Sequence, residues 1–371
     1  MLGVTPPLVT QLTRKLIADG VIRELEYVPS RGGRPAQMLG LVEEAGHAIG
    51  VKVDIDQVVF VEVRIDGAIE RSATVKFDSG SRMAVAELTE LLRDFVGIGS
   101  GHLLGIGVGI PGTIGEQKIG VVDSSQLGWN RVALGSAFRR ALELPVLVDS
   151  NINASSVAEN LFGQGRNYQN FLVIAIGTSI ELGIVCNSEV FRGHAGGSGG
   201  LSHLPINDSG PLCQCGNSGC LEAYVGEHAL VTTAHEHKLI GDLEGITSLN
   251  ALASAGNQDA EAIFQQAGHK LGRAIAGMAN IFDPEIIILF EEGNDAWTHL
   301  AAGFEPAFRS SLVPNKRGLL AVVKNWQPNS GARSAACLIL AALFDENGNT
   351  GEQGELIRAR LLDTRSRINR N

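Results

Sequence analysis

The chain has 371 residues, of which 44% are hydrophobic and 19% charged, and this composition supplies enough apolar side chains for a large core and for two or three domains. No apolar run reaches the roughly 18 residues that cross a bilayer, and the N-terminus lacks a signal-peptide pattern. These features argue against a membrane protein, and we expect a cytoplasmic one. The net charge of −10 argues against nucleic-acid binding over the whole surface.

The charge is unevenly distributed along the chain. Residues 1–41 hold five basic and three acidic residues, whereas the remainder is strongly acidic. A small basic head on an acidic body is compatible with DNA binding through the head alone. The excess is small, so other features have to support this interpretation.

Residues 5–20 have the pattern of a helix. Thr5 suits the N-cap and Pro6 the first helical position, and Gly20 ends the helix. An apolar stripe is formed by Leu8, Leu12, Leu16 and Ile17. The stripe leaves polar side chains for an outer face: Thr10, Gln11, Thr13, Arg14 and Lys15.

A glycine-rich basic tip separates two predicted strands, one starting at Val21 and one around residues 38–41. The tip, residues 30–35, contains Arg31 and Arg34 and ends in proline. Helix, strand, basic turn and strand is the second half of a winged helix-turn-helix. An amphipathic helix with a solvated basic loop would have the same pattern, so these residues alone leave DNA binding open.

From residue 50 the pattern becomes β-β-β-α-β and is repeated in outline after Pro145, which predicts two related α/β halves. The first half has predicted strands 50–56, 57–65, 68–77 and 103–110 and a helix over 83–96. The second half has strands 146–150, 171–177, 182–187, 285–290 and 319–325, and helices from Ala154, over 259–282 and over 332–343. A polar tail follows from Asp345.

Residues 203–222 carry the strongest motif in the chain. They contain one histidine and three of the five cysteines: His203, Cys213, Cys215 and Cys220. One imidazole and three thiolates are the donors that a tetrahedral structural zinc requires, and the glycines of this stretch permit a tight loop. Buried thiols or a disulfide are the alternatives. A disulfide would leave one cysteine unpaired, which favours zinc.

This histidine and the Cys-x-Cys-Gly-x-x-Gly-Cys-Leu-Glu run resemble the zinc loop of the ROK family of repressors and sugar kinases. The resemblance extends over nearly the whole chain. It implies a duplicated actin-like (ribonuclease H-like) fold, as in sugar kinases, with the ligand cleft between two lobes. The expected parts are a winged head at 1–45, lobes at 46–150 and 151–344, and a tail at 345–371. The first helices of such a head would precede Met1, so the head is expected to be partial.

Two segments that carry the chemistry in kinases of the family are altered here. The first phosphate turn has Lys52 in the place of an aspartate, and its glycines are absent. At the position of the catalytic base, which accepts the proton of the sugar hydroxyl, the chain has Asn151. An amide has no useful basicity, so this step of the reaction would lose its catalyst.

Two further segments have gained acidic side chains. Glu181 and Leu182 replace glycines in the second phosphate loop, residues 177–183, and Glu291 with Glu292 occupies the turn that receives adenosine in the family. Carboxylates at these places repel the phosphates of ATP. We therefore expect no enzymatic activity. A sugar kinase with unusual loops is the alternative, which nucleotide binding would distinguish.

The sugar side of the site is partly retained. Gly200 and Ser150 stand where the family has a glutamate and an asparagine, and each lost hydrogen bond is worth about 1 kcal/mol. Altered ligand choice is expected, and a cleft kept only as a scaffold is the alternative. The resemblance implies that a sugar or sugar phosphate contacts Gly112, Asn130, Ser150, Asn151, His203 and Glu222.

These features together indicate the transcriptional-regulator branch of the family, which includes repressors responding to glucose, xylose and N-acetylglucosamine. We expect a repressor with a structural zinc that forms a homodimer or homotetramer and binds a palindromic operator. The predicted DNA contacts are Thr10, Gln11, Arg14, Arg31 and Arg34. An effector sensor that does not bind DNA is the remaining alternative.

Overall fold

The computed structural model describes residues 5–28, 36–99, 101–115, 120–291, 296–345 and 347–363. The chain divides into two compact units: unit 1 comprises Met1–Ala158 and Asn329–Asn371, and unit 2 comprises Glu159–Pro328. The boundary expected from the sequence is at residue 150, with residues 329–344 in the second lobe. The observed division differs because the helix that follows residue 329 packs on the sheet of unit 1.

The head of unit 1 is a helix followed by a two-stranded antiparallel sheet. Helix α1 (Pro6–Ala18) precedes β1 (Ile22–Val28) and β2 (Ala36–Leu41). This is the helix–strand–strand order predicted for the head. The predicted basic tip with Arg31 and Arg34 lies outside the described residues.

The apolar stripe of α1 is less buried than its helical spacing predicts. Leu8, Leu12 and Leu16 are 41%, 48% and 41% exposed, while Val21 just after the helix is buried. Strands β1 and β2 therefore do not bury the apolar side chains of α1.

The body of unit 1 contains a five-stranded sheet. Its elements in chain order are β3 (His47–Val53), β4 (Gln57–Arg64), β5 (Ile69–Lys76), α2 (Ala84–Ile98), β6 (Leu103–Ile110), β7 (Thr113–Gly115), β8 (Val121–Ser124), β9 (Trp129–Val132), α3 (Leu134–Leu142), β10 (Val146–Ser150) and α4 (Asn151–Leu161). The strand order is β10-β6-β3-β4-β5, and β4 alone runs antiparallel to the other four strands. Strands β7, β8 and β9 form a separate small sheet.

Unit 2 contains a second five-stranded sheet. Its elements are β11 (Phe171–Ile176), β12 (Ile180–Cys186), β13 (Glu189–Val190), α5 (Glu222–Val225), α6 (Glu227–Glu236), α7 (Ile246–Ser254), α8 (Gln258–Phe282), β14 (Ile286–Glu291), α9 (Trp297–Ser311) and β15 (Leu320–Asn325). The strand order is β13-β12-β11-β14-β15. The first strand of the unit is central, a hairpin partner lies on one side and two parallel strands lie on the other. Unit 1 has the same arrangement, which confirms the predicted duplication and the actin-like, sugar-kinase fold class.

The longest helix, α8, packs closely on α9. The side chain of Asn257 accepts hydrogen bonds from the backbone N–H groups of Asp259 and Ala260 and so caps the start of α8. A Cβ atom on Gly268 would lie 2.1 Å from the carbonyl oxygen of Leu300, so only glycine permits this approach. None of the described helices combines the length and apolar character needed to cross a membrane.

The last two helices return to unit 1. They are α10 (Ser330–Ala342) and α11 (Gly351–Leu362). Backbone atoms of α10 lie against the glycines of β3 and β6: a Cβ on Gly50 would lie 1.9 Å from the Ala332 carbonyl oxygen, and one on Gly107 would lie 1.8 Å from that of Ala335. These two glycines fix the helix on the sheet of unit 1.

Gly107→Ala is expected to lower the free energy of unfolding by roughly 3 kcal/mol, the upper part of the usual range for overpacking, because the added methyl group collides with the backbone of α10. Gly97→Ala is the matched control, since a Cβ at this exposed position of α2 meets nothing within 4 Å. The control should raise stability by about 0.5–1 kcal/mol. Chemical denaturation of the two variants measures both changes, and a neutral Gly107→Ala would contradict the described packing.

Candidate functional site

The four predicted metal ligands converge in unit 2. The Sγ atom of Cys213 lies 3.7 Å from Nδ1 of His203, and the Sγ atoms of Cys215 and Cys220 are 3.7 Å apart. A tetrahedral zinc with Zn–S distances of about 2.3 Å holds two sulfur ligands roughly 3.8 Å apart, whereas a disulfide has sulfurs at about 2.05 Å. None of the five cysteines forms a disulfide. The spacing therefore fits a metal ion and excludes a disulfide here.

Backbone hydrogen bonds hold the loop that carries these ligands. The N–H of Cys213 donates to the Asn217 carbonyl at 2.8 Å, and the N–H of Gly216 donates to the Cys213 carbonyl at 2.9 Å. Gly219 has a φ of +71°, and a Cβ there would lie 1.6 Å from the Asn207 carbonyl oxygen. The loop can therefore bring its thiols together only with glycine at this position.

The thiols differ in acidity because their surroundings differ. Burial and the adjacent thiols raise the pKa of Cys220 to about 11. A hydrogen bond from the backbone N–H of Asn217 lowers the pKa of Cys215. Without a cation the buried thiol keeps its proton at neutral pH, and a bound metal ion would displace it.

Glu222 ends this loop and begins α5. Its Oε2 accepts a hydrogen bond of 3.1 Å from the backbone N–H of Ile180, and it also contacts the side chain of Ser179. Burial raises the pKa of this carboxyl above its ordinary value. The Glu222 carboxylate therefore accepts a hydrogen bond from a backbone N–H of segment 177–183. This segment is the one compared above with a phosphate loop.

A second carboxylate lies at the N-terminus of α9. Oε1 of Glu291 accepts a hydrogen bond of 2.6 Å from the backbone N–H of Trp297. Helix N-termini attract anions because their first N–H groups are unpaired, so the Glu291 carboxylate caps the start of α9. Glu292, predicted to oppose ATP as well, lies outside the described residues.

Unit 1 places Asn151 at the start of α4, directly after β10. Its Oδ1 atom is buried and has no hydrogen-bond partner within the described parts of the chain. The neighbouring Asp149 accepts hydrogen bonds from Asn153 Nδ2 at 2.8 Å and from the Ser150 backbone N–H at 2.9 Å. The buried Asn151 oxygen, at the position that the sequence compares with a catalytic base, therefore has unused hydrogen-bonding capacity.

The remaining predicted effector residues lie in different settings. Gly112 has a φ of +146°, and a Cβ there would lie 2.4 Å from the Asp123 carbonyl oxygen. Ser150 is buried and its Oγ accepts a hydrogen bond from the Asn153 backbone N–H at 3.3 Å. Asn130 is exposed on β9. Gly112, Asn130, Ser150 and Asn151 belong to unit 1, whereas His203 and Glu222 belong to unit 2.

The predicted DNA contacts that the structure describes share one surface of α1. Thr10, Gln11 and Arg14 are exposed and follow one another at helical spacings of one and three residues, so they lie on one side of the helix. Arg31 and Arg34 are outside the described residues.

Sequence reasoning did not find the carboxylate contacts of Glu222 and Glu291. The motif placed Glu222 toward a sugar, and Glu291 was interpreted only as a repelling charge. The one available signal was the position of Glu291 a few residues before a helix, where an acidic side chain can act as a cap.

Comparison with known proteins gives a consistent result. A sequence profile described as ROK family matches residues 65–341. The xylose repressor of Bacillus subtilis (strain 168) is 29% identical over 294 residues, which are 78% of this chain and 75% of that protein. The DNA-binding transcriptional dual regulator NagC of Escherichia coli (strain K12) is 24% identical over 361 residues, 92% of this chain and 87% of that protein.

Solved structures agree with this pattern. A ROK family transcriptional regulator, described as a homolog of the Escherichia coli MLC protein, has a TM-score of 0.79 and 25% identity, covering 97% of this chain and 92% of that one. A ROK family glucokinase from Streptomyces griseus, solved with glucose and AMPPNP, has a TM-score of 0.68 and 22% identity, covering 79% of this chain and 99% of that one. The second likeness concerns the fold alone.

Proposed function

Because the chain belongs to the ROK family, whose profile matches residues 65–341, we propose that it is a sugar-responsive transcriptional regulator that acts as a repressor. The observation that carries this proposal is the extent of the likeness to regulators. NagC aligns over 92% of this chain, and the ROK regulator structure covers 97% of it. The glucokinase structure covers 79% of this chain, and the xylose repressor aligns over 78% of it, so the support comes from the two regulators that match nearly the whole chain.

The head supplies the DNA-binding element in this proposal. Helix α1 presents Thr10, Gln11 and Arg14 to solvent, and such side chains contact base edges or phosphates when a helix lies in a major groove. Arg31 and Arg34 would enter an adjacent minor groove, whose negative potential attracts arginine. A symmetric homodimer or homotetramer would present two heads to a palindromic operator.

The body acts as an effector sensor without phosphoryl transfer. Asn151 stands at the position of the base, and the carboxylates of Glu222 and Glu291 accept hydrogen bonds from backbone amides that would otherwise be open to phosphate. These contacts support a protein that has lost nucleotide binding. The buried and unpartnered Oδ1 of Asn151 supports retention of a ligand, and we assign to the effector Gly112, Asn130, Ser150, Asn151, His203 and Glu222.

Zinc is the metal that we assign to His203, Cys213, Cys215 and Cys220. Three thiolates and one imidazole favour zinc over harder ions such as Mg²⁺ or Ca²⁺. The ligand set leaves no open position, so the ion would be structural. It would hold the loop that ends at Glu222.

No transfer of phosphate from ATP to glucose, xylose or N-acetylglucosamine is expected above background. Asn151→Asp should remain inactive as well, because restoring a base does not remove Glu291 from the helix N-terminus or Glu222 from Ile180. A coupled kinase assay with both proteins measures this. Turnover by the wild type near the usual kinase rate of about 1–100 per second would refute the proposal, and turnover by the variant alone would show that the phosphate loops still work.

The proposed function is tested by DNA binding in the presence of sugars. Fluorescence anisotropy with the promoter DNA of the chain's own gene should detect binding to a palindromic site, and one sugar among xylose, glucose, N-acetylglucosamine and their phosphates should weaken it. The same sugar should raise the melting temperature, since it binds only the native state. Sequence-independent binding that no sugar alters would contradict a sugar-responsive repressor.

A further inference from the structure

A cluster of three side chains in unit 1 contains none of the residues assigned above. We propose that His47, Glu62 and Glu70 form a second metal site, which takes a divalent transition-metal ion of the Mn²⁺ type. Nδ1 of His47 lies 2.9 Å from Oε1 of Glu62 and 3.0 Å from Oε2 of Glu70. The three donor atoms are close enough to share one ion.

The edge of the five-stranded sheet builds this cluster. His47 is the first residue of β3, Glu62 lies near the end of the adjacent β4, and Glu70 is on the edge strand β5. The pairing of β4 with β5 is irregular: Glu62 is opposite Arg71, and the next pair is Val63 with Ile69. Glu70 is therefore an extra residue, a β-bulge, and bulges are known to redirect side chains beside functional sites.

The bulge changes which side chains reach the cluster. Consecutive residues of a regular strand point to opposite faces, yet Glu70 contacts His47 while Arg71 donates from Nε to Oε2 of Glu62 at 2.6 Å. Both side chains of the bulge thus approach one buried group. Arg71 would orient the ligating Glu62, as hydrogen-bonded partners of ligands do in metal sites.

The donor geometry fits a metal ion. A single N–H at Nδ1 would have to be shared between the two carboxylate oxygens as a three-centre bond, whereas one ion can be bound by all three donor atoms directly. Ligands at right angles and about 2.1 Å from an ion lie about 3.0 Å apart, which is the spacing observed around Nδ1. An imidazole and two carboxylates form a nitrogen and oxygen donor set, which suits Mn²⁺ and differs from the thiolate loop.

Two of the three side chains in the cluster are buried, and the third leaves one side of it open to an ion from solvent. The side chains of His47 and Glu62 are 6% and 2% exposed, whereas that of Glu70 is 50% exposed. A Cβ on Gly101 would lie 2.5 Å from His47 Nδ1, so the loop before β6 covers the imidazole with glycine. An ion would enter past Glu70 and would join β3, β4 and β5 just after the turn at residues 43–45 that follows the head.

The test uses the full chain and Mn²⁺, whose EPR signal decreases when the ion binds. We expect about one bound Mn²⁺ per wild-type chain and an affinity at least about tenfold lower in Glu70→Gln, with zinc content unchanged. Glu70 is half exposed, so this variant should fold, and its melting temperature without metal should stay close to that of the wild type. Glu87→Gln, an exposed position of α2 with the same change of charge, should bind Mn²⁺ like the wild type.

Two results would overturn the proposal. Equal affinity of the wild type and Glu70→Gln would place the ion elsewhere. No binding by the wild type at millimolar Mn²⁺ would leave the cluster as an ion-pair network in which a protonated His47 lies between two carboxylates. Neither result bears on sugar-responsive DNA binding, which depends on other residues.

Discussion

Cys220→Ser is expected to remove zinc from the loop and to lower the free energy of unfolding by more than about 4 kcal/mol, a size that is usual only for the loss of a metal, a disulfide or a core group. The thiol is buried, and a serine hydroxyl is both far less acidic and a harder donor than a thiol, so it cannot replace the thiolate as a zinc ligand. Metal binding to such a loop contributes directly to folding. A melting temperature lower by roughly 2–4 °C for each kcal/mol should follow.

Metal analysis and thermal melting of the purified variant measure both changes. The matched control is Cys186→Ser, the same substitution at a half-buried thiol of β12 outside the cluster. It should keep one zinc per chain and lose little stability. A wild-type protein with far less than one equivalent of zinc, purified without chelator, would contradict the assignment, and so would Cys220→Ser that retains its zinc.

The elements that the sequence predicted well are those with a local cause. Strand β6, Leu103–Ile110, and strand β10, Val146–Ser150, coincide with their predicted bounds, because each is a short apolar run between turn residues. The convergence of His203, Cys213, Cys215 and Cys220 was predicted, because all four lie within one short segment; the zinc ion itself stays a prediction. Local sequence suffices in these cases.

Two other features were not predicted. The sequence started the helix after β10 at Ala154, whereas α4 begins at Asn151; the Asn153 side chain donates to Asp149 Oδ1, and the Asn153 backbone N–H donates to Ser150 Oγ. The small sheet of β7, β8 and β9 was absent from the prediction, because strands of three or four residues give little periodicity.

The sheet on which α10 packs was also not predictable from the local sequence. Its apolar pattern identifies a buried helix but does not specify the sheet on which it packs. Gly50 and Gly107 determine the sheet, because they lack the Cβ atoms that would collide with the backbone of α10. The sequence alone does not distinguish Gly50 and Gly107 from the other glycines of the chain as packing positions.

The hydrogen bonds that Glu222 and Glu291 accept from backbone N–H groups add a second reason for the proposed loss of nucleotide binding. Repulsion alone would weaken ATP binding in a salt-dependent way. Glu222 and Glu291 instead occupy backbone N–H groups directly, so an arriving phosphate would have to displace a hydrogen bond as well as approach a negative charge. If nucleotide binding has been lost as proposed, substitution of either residue alone should therefore not restore it.

For the proposed dimeric repressor, Arg14→Ala in α1 is expected to reduce operator affinity by roughly thirtyfold or more. A contact to a base edge is worth about 1–3 kcal/mol, and a symmetric dimer loses it in both heads, so the two losses add in the free energy of binding. Gln11→Ala should have a similar effect if the amide reads an adenine. Fluorescence anisotropy at fixed salt measures the affinities, because values at different salt concentrations are not comparable.

The salt dependence separates the two possible roles of Arg14. A phosphate contact predicts weaker binding to every sequence and a salt slope smaller by about one per head, whereas a base contact predicts loss of preference for the operator with little change of slope. Arg93→Ala is the matched control, since Arg93 is an exposed arginine of α2 in the same unit and the change in net charge is identical. Equal loss of affinity in Arg14→Ala and Arg93→Ala would mean that net charge, rather than α1, determines DNA binding, and the head would then not be the recognition element.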